Sequence, residues 1–278
     1  MAAMPGSPTP ADLRIHSRDL QFREAEQAVR WWHAGDPIAT AFYNALSALF
    51  PQGERFFIES VKRYRTLGGA TLQEQIATFI AQESLHTREH LAFNRIATDR
   101  GYDLSRIDDL LTRCLAWVRS RRPIEQLAAT IALEHFTAIL AHELLRDPHY
   151  LEGVPSAVQQ LWRWHAMEEI EHKAVAFDTC MAATANLSGF ARWLLRCHVM
   201  AVATGIFVHE VVFGISEFFR QDGMNTRRSW LRMLKYLFVQ PGMLRRVLPS
   251  YFSYYRPGFH PWRVDDRQLI AAYEFSPA

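Results

Sequence analysis

Four stretches of this chain each set an ionisable residue midway along an otherwise apolar helical stripe, and in order they read Glu54, Glu83-x-x-His86, Glu134 and Glu169-x-x-His172. Inward-facing positions of a bundled helix recur in steps of three and four. Those steps give Phe50, Glu54, Phe57 and Val61 in the first stretch, and Ile76, Phe79, Glu83, His86, His90, Phe93 and Ala97 in the second. They give Ile124, Leu127, Ile131, Glu134, Ala138, Ala141 and Leu145 in the third, and Val158, Leu161, His165, Glu169, His172 and Ala176 in the fourth. A carboxylate buried alone is strongly destabilising, or takes up a proton through a large pKa shift, so each of these needs a cationic partner. The stripes supply histidine but neither lysine nor arginine, and metal ions meet the need most simply. Polar groups that satisfy one another, or faces turned to water, would explain a single such glutamate better than a pattern repeated in four helices.

Turn signals divide the chain into matching helices. Asp36-Pro37 has the form of a helix start, with the aspartate as N-cap and the proline in the first turn, and that helix runs through Leu49 before Pro51 interrupts or kinks it ahead of Glu54. Gly68-Gly69 closes the segment, and Thr71 with Glu74 predicts a capping box opening a helix that reaches about Arg100. A shorter helix is expected near Ile107 to Arg119, Pro123 opens one that ends near Asp147-Pro148, and Pro155 opens one that continues to about Asn186. The intervals 83 − 54 = 29 and 169 − 134 = 35 each suit one helix and its antiparallel return. With no strand-like alternation of useful length, the expectation is all-α. Residues 1–35 read as an N-terminal tail and lead-in, residues 36–188 as a ferritin-like four-helix metal-binding bundle, and residues 189–278 as a helical, aromatic-rich extension packed on it. In ferritin-like bundles two helices give one glutamate each and two give Glu-x-x-His, which together hold a di-iron or di-manganese centre.

Composition narrows the function classes. A net charge of +2 with scattered basic residues gives no nucleic-acid footprint. Cys114, Cys180 and Cys197 form neither a CxxC knuckle nor a disulfide framework, and read as reduced thiols of a cytoplasmic protein. The first ten residues lack the basic and apolar parts of a signal peptide. The most membrane-like run, Cys197 to Val208, is twelve residues free of charge, shorter than the roughly 20 that a spanning helix needs.

The stretches Pro51-Gln52-Gly53-Glu54-Arg55-Phe56-Phe57, Gln82-Glu83-Ser84-Leu85-His86-Thr87-Arg88-Glu89-His90 and Trp164-His165-Ala166-Met167-Glu168-Glu169-Ile170-Glu171-His172-Lys173, with Gly258-Phe259-His260-Pro261-Trp262 beyond them, resemble the bacterial family called predicted metal-dependent hydrolases. The likeness covers most of the chain. The ligand pattern is also similar to that of the ferritin-like di-iron oxygenases, which implies two iron ions, O2 and an apolar organic substrate. An external electron donor is then needed too, since the chain has no Gly-rich dinucleotide fingerprint or iron–sulfur cysteine set. The leading expectation is therefore an O2-dependent oxidoreductase performing hydroxylation, desaturation or N-oxygenation. The family name implies the alternative, a binuclear metal-dependent hydrolase using manganese or zinc and no electrons. A non-enzymatic storage or sensing bundle is the third reading. Carboxylate and imidazole donors without cysteine argue against thiolate-rich zinc or iron–sulfur sites.

The expected metal ligands are Glu54, Glu83, His86, Glu134, Glu169 and His172. His165, four residues before Glu169, completes His-x-x-x-Glu-x-x-His, which resembles the extra-histidine site of the di-iron arylamine N-oxygenases, and it is expected as the seventh ligand. His90 and Glu168 are expected as further ligands or outer hydrogen-bond partners, Glu89 and Glu171 on a solvated helix face, His135 as a satisfied side chain and Trp164 as packing. Beyond Gly189, Arg192 to Arg220 reads as one long apolar helix and Trp230 to about Val239 as another, while Pro249 to Trp262 holds too many prolines to stay helical. This region is expected either to cover the metal cavity and shape an apolar pocket, with peripheral membrane contact through Arg-flanked aromatics, or to pack outside the bundle or form a homodimer.

Overall fold

Asp36 ends the lead-in and starts the first helix as its sequence predicts: its carboxylate accepts from the Ile38 amide at 2.9 Å, with Pro37 in the first turn. The structure, a computed structural model, describes residues 9–23, 25 and 28–273, so the first eight residues of the expected N-terminal tail lie outside the described residues. All regular structure among the described residues is helical. In chain order the helices are α1 (Pro37–Lys62), α2 (Ala70–Asp99), α3 (Ser105–Arg119), α4 (Pro123–Arg146), α5 (Ser156–His172), α6 (Val175–Ala183), α7 (Gly189–Gln221), α8 (Arg227–Phe238), α9 (Met243–Ser253) and α10 (Arg267–Ala272).

The break expected at Pro51 does not occur, and α1 runs through it. A proline in a helix interior removes the donor that would serve the carbonyl four residues back, which here is Ser47. The Asn94 side-chain amide donates to the Ser47 carbonyl at 3.0 Å in its place, so the defect in α1 becomes a tie to α2. The capping box expected at Thr71 is likewise absent, because α2 begins two residues earlier with Gly69 at its N-cap and no side-chain cap. The helix expected from Pro155 to Asn186 is divided into α5 and α6 at Lys173-Ala174, directly after His172. There the Lys173 ammonium reaches Asp266 at 2.6 Å and the Val264 carbonyl at 2.8 Å.

Side-chain pairings fix the helix directions. Ser47 meets His90 and Asn94 while Glu54 meets Thr87, so α1 and α2 are antiparallel. His90 meets His165 and Gln82 meets His172, so α2 and α5 are antiparallel too. Ser60 meets Thr130 and Arg63 meets Gln126, which sets α4 against α1. α2 and α4 therefore run the same way, and α3 is the crossover that lets the chain return between them. The predicted stripes face this interior: of their positions only Phe50 and Ile124 are less than fully buried.

α7 packs across the outside of α1 and α4. Gly214 permits the approach, since a Cβ there would lie 3.0 Å from the Ala45 Cβ. α7 is longer than the charge-free run in its middle, and by length and composition both it and α4 qualify as candidate membrane spans, although α4 is largely buried by its neighbours. The aromatic stretch from Pro249 is helical to Ser253, against expectation, with Pro249 inside α9. The carbonyl that Pro249 fails to serve belongs to Arg245, an exposed residue where solvent is at hand.

Candidate metal centre

α1, α2, α4 and α5 bring every sequence-predicted ligand to one place. Glu83, Glu134, Glu169 and His172 offer ligand atoms all within 4.8 Å of one another, and Glu54, His86 and His165 form a second such group; all are buried. Glu169 joins the two groups. Its Oε1 lies 3.2 Å from His165 Nε2, 3.4 Å from His86 Nδ1 and 3.5 Å from His172 Nε2. His172 Nε2 in turn lies 3.2 Å from Glu83 and 3.4 Å from Glu134. The three-residue step within each Glu-x-x-His turns both side chains to one helix face, which is why the motif delivers pairs.

The donor set passes a direct test of fit to cations. Glu54 Oε1, both oxygens of Glu83 and of Glu134, Glu169 Oε2, His86 Nδ1 and His172 Nε2 are buried without a hydrogen-bond partner among the described residues. Buried polar atoms are otherwise almost always satisfied, and these orphans converge.

Each histidine facing the cluster is held from behind. His86 Nε2 lies 3.1 Å from Glu168 Oε2, while the Trp164 indole N–H donates to Glu168 Oε1 at 3.1 Å. His172 Nδ1 lies 3.0 Å from Gln82 Oε1, and the Gln82 amide donates to Glu171 at 3.0 Å. His165 Nδ1 lies 2.8 Å from His90 Nε2, whose Nδ1 lies 2.8 Å from the Ser47 hydroxyl. His90 and Glu168 thus both stand as hydrogen-bond partners behind those histidines. Thr87 donates to Glu54 Oε2 at 2.9 Å. Such outer partners fix the ring orientation of metal-binding histidines.

The lead-in closes this outer layer. The Arg18 guanidinium donates to Glu171 at 2.8 and 3.0 Å, and the Arg18 amide donates to Glu168 at 3.0 Å. The Gln82 amide donates to the His16 carbonyl at 3.0 Å, and Glu89 accepts from the Phe22 amide at 3.1 Å. Glu89 and Glu171 are therefore not on a solvated face; they are buried beneath the lead-in that they anchor. Trp164 packs as expected, but its indole also donates into the site. His135 is satisfied by the Ser250 carbonyl at 3.1 Å. His260 pairs with Asp178, away from the cluster.

Burial raises the carboxyl pKa of Glu54 and of Glu83, with help from each one's carboxylate neighbours, and pushes Glu134 up to about 8. Burial opposes charge on His86 as well, but Glu168 and Glu169 overcome it and push that imidazole up to about 10. Burial and the neighbouring His86 push His165 down to about 4, which leaves it neutral. Without a cation the pocket thus favours the protonated form of Glu54, Glu83 and Glu134, while at Glu169 burial is outweighed by the His172 imidazole, which holds that carboxyl well below the usual carboxylate range.

A cavity of ≈ 420 Å³ reaches the centre at Glu54. α1, α3, α4 and α7 wall it, with apolar side chains such as Phe57, Leu115, Leu133, Val199 and Phe207. Of the two roles expected for the C-terminal region, α7 therefore supplies the pocket wall while α9 packs outside on α4.

The sequence profile of a family described as predicted metal-dependent hydrolase matches residues 16–265. No curated protein and no solved structure matches the chain. The family match overturns the leading expectation of an O2-dependent oxidoreductase. Hydrolysis is redox-neutral, and cations held by such carboxylates and imidazoles would supply it with polarisation of a carbonyl and activation of water.

Proposed function

The chain belongs to the family of predicted metal-dependent hydrolases, and on that premise we propose that it is a binuclear hydrolase cleaving an ester or amide bond in an apolar molecule. The observation that carries the reading is the convergence of buried, partnerless carboxylate and imidazole atoms in a cluster whose Glu54 also lines an apolar cavity. Glu54, His86 and His165 would hold one divalent ion, and Glu83, Glu134, Glu169 and His172 the other. The oxygen and nitrogen donors suit manganese, zinc or ferrous iron. The helix directions, with α3 as the one crossover, support a ferritin-like bundle over residues 36–188 carrying the extension 189–278.

When bound, such a metal pair supplies Lewis acidity and a lowered pKa for water. The chain's own residues would do the rest. Glu168 and Gln82 hold His86 and His172 in the orientation their ligand atoms need, and His90 holds His165. The cavity wall takes the apolar part of the substrate and sets its scissile carbonyl beside Glu54. Water adds to the acyl carbon, the bond to the leaving oxygen or nitrogen breaks, and a carboxylic acid and an alcohol or amine result. The test is an anaerobic assay of protein reconstituted with each metal against esters and amides of graded acyl length. Turnover without O2 or reductant, abolished by a chelator and in Glu83→Gln, is expected. Stoichiometric metal with no hydrolysis of any substrate would refute the reading.

A further inference from the structure

α7 has two faces, and only the inner one is accounted for by the fold. Phe190, Leu194, His198, Ala201, Gly205, Val208 and Val212 recur in steps of three and four, and every one of them is exposed. The stripe is roughly 33 Å long at 1.5 Å per residue. His198 is its one polar side chain. Of the other ionisable residues of α7, Arg196, Glu210 and Glu217 lie on the buried face, which packs on the bundle, Arg192 is half-buried, and His209 and Arg220 are exposed, so neither carboxylate of the helix is on the outer face. α7 is therefore suited to lie along a membrane surface rather than to cross one.

The cavity opens onto this stripe. Among its lining residues the exposed ones include Trp117, Arg121, His198 and Val202. His198 belongs to the stripe itself, and the Arg121 guanidinium sits 4.1 Å over the Trp117 ring, an amphipathic pair of the kind that suits a lipid headgroup region.

Charge selects the occupant. Between residues 189 and 260 the carboxylates are Glu210, Glu217 and Asp222. The first two are buried and the third pairs with Arg30. Arg227, Arg228, Lys235 and Arg245 are exposed and form no ion pair among the described residues. α8 adds exposed Leu231, Leu234 and Phe238 among its cations and joins the end of α7 through Trp230 against Phe219. These four cations lie on α8 and α9, the helices that follow α7, and a second copy of the chain seated there would bring like charge against like, since a two-fold interface pairs a surface with its own image.

We propose that the outer face of α7 seats on an anionic lipid bilayer and that the cavity draws an acyl-chain substrate from that bilayer. The docking stands on the surface alone; the delivery rests also on the hydrolase reading above.

The test is co-sedimentation of the full chain with vesicles of phosphatidylcholine alone or mixed with phosphatidylglycerol. About fivefold for each cation reaching the headgroups gives a preference on the order of 100-fold for the mixed vesicles from three of them. Leu194→Glu with Val208→Glu, at residues 52% and 51% exposed and outside the cavity wall, should release the protein from vesicles. Its metal-dependent hydrolysis of a water-soluble short-chain ester should stay unchanged, while that of a vesicle-borne long-chain ester falls. Arg227→Glu with Arg228→Glu gives a second variant that weakens binding to the mixed vesicles alone. Wild-type protein that stays in the supernatant with both vesicle types overturns the proposal. So does a wild-type dimer that the α7 variant converts to monomer, since a second copy then covers the face. Vesicle binding without hydrolysis of either ester leaves docking standing and sinks delivery with the hydrolase reading.

Discussion

Arg18 lies in a stretch with no helical period, yet it is the cation that closes the outer layer of the metal centre. Its guanidinium pairs with Glu171 at 2.8 Å and approaches Glu168 at 3.4 Å, with side-chain exposures of 10% for the arginine, 1% for Glu171 and 0% for Glu168. Arg18→Ala would leave Glu171 buried with no full positive charge beside it, and Glu168 with only the raised His86 imidazole as its cationic partner. Breaking a buried pair by removing one partner costs 3–5 kcal/mol as a rule. The lower end, ~3 kcal/mol, applies here, because the Arg18 amide still donates to Glu168 and the Gln82 amide to Glu171. For a chain of this length that is a fall in Tm of about 6 °C, at ~2 °C per kcal/mol. Glu168 and Glu171 also act on the ligands, the first directly behind His86 and the second through Gln82 behind His172. Loss of such partners weakens metal affinity by about 10–100-fold. Thermal unfolding of the metal-free protein and titration with the metal read the two effects separately. Arg18→Lys should recover part of the stability and little of the affinity, since an ammonium lacks the fork that spans both Glu171 oxygens. An unchanged Tm together with unchanged metal affinity would refute the argument that the lead-in is part of the site.

In metal-free protein, Glu134 has a folded pKa of about 8, above its unfolded value. The folded state then holds the extra proton, so this group's stabilising contribution is full below the unfolded pKa and is lost as pH rises toward 8. The raised His86 imidazole acts in the same direction above pH 6.5. Tm of the metal-free protein should therefore fall between pH 6.5 and 8, while metal affinity rises over the same range as protons are displaced; a flat or rising Tm in that window contradicts the account. Asn94→Ala should cost ~1 kcal/mol, the low end for an unsatisfied carbonyl because the pair is only partly buried. Most of this should be recovered in the double variant with Pro51→Ala, and urea unfolding of the pair of variants tests that. His165→Ala should weaken metal binding and change hydrolysis with little effect on folding, read by metal titration beside circular dichroism.

The helix stripes were readable because a period of three and four needs only local sequence, and the ligand set was readable because it lies on those stripes. What failed was everything decided by a second element. Glu89 and Glu171 lie off the stripe, and on a bare four-helix bundle they would face water; residues 16–22, which carry no period, are what bury them. Gln82 is likewise one step off the stripe beside Glu83, so nothing local marks it as the partner of His172. Pro51 obeys its local rule in removing a donor, and only the position of Asn94 across the interface restores one. Lys173-Ala174 has no glycine or proline to signal a break. α7 looks apolar on all sides in sequence, so which face meets the cavity and which meets solvent becomes visible only once α1, α3 and α4 are in place.

The charge balance of the centre also argues for two metal ions rather than one. Glu54, Glu83, Glu134 and Glu169 carry four negative charges into a fully buried space, and the histidines among them are neutral when they act as ligands. Two divalent ions offset that load, whereas one leaves two carboxylates that must stay protonated. Glu168 and Glu171 add two further charges in the layer outside. Arg18 offsets one of these, and N–H donors from His86, Trp164 and Gln82 disperse the other. Titration of the metal-free protein should accordingly saturate at two ions per chain, with the proton release of Glu54, Glu83 and Glu134 completed only on the second. Saturation at one ion would mean that two of the inner glutamates act as buried acids, and the assignment of a second ion to this centre would then be wrong.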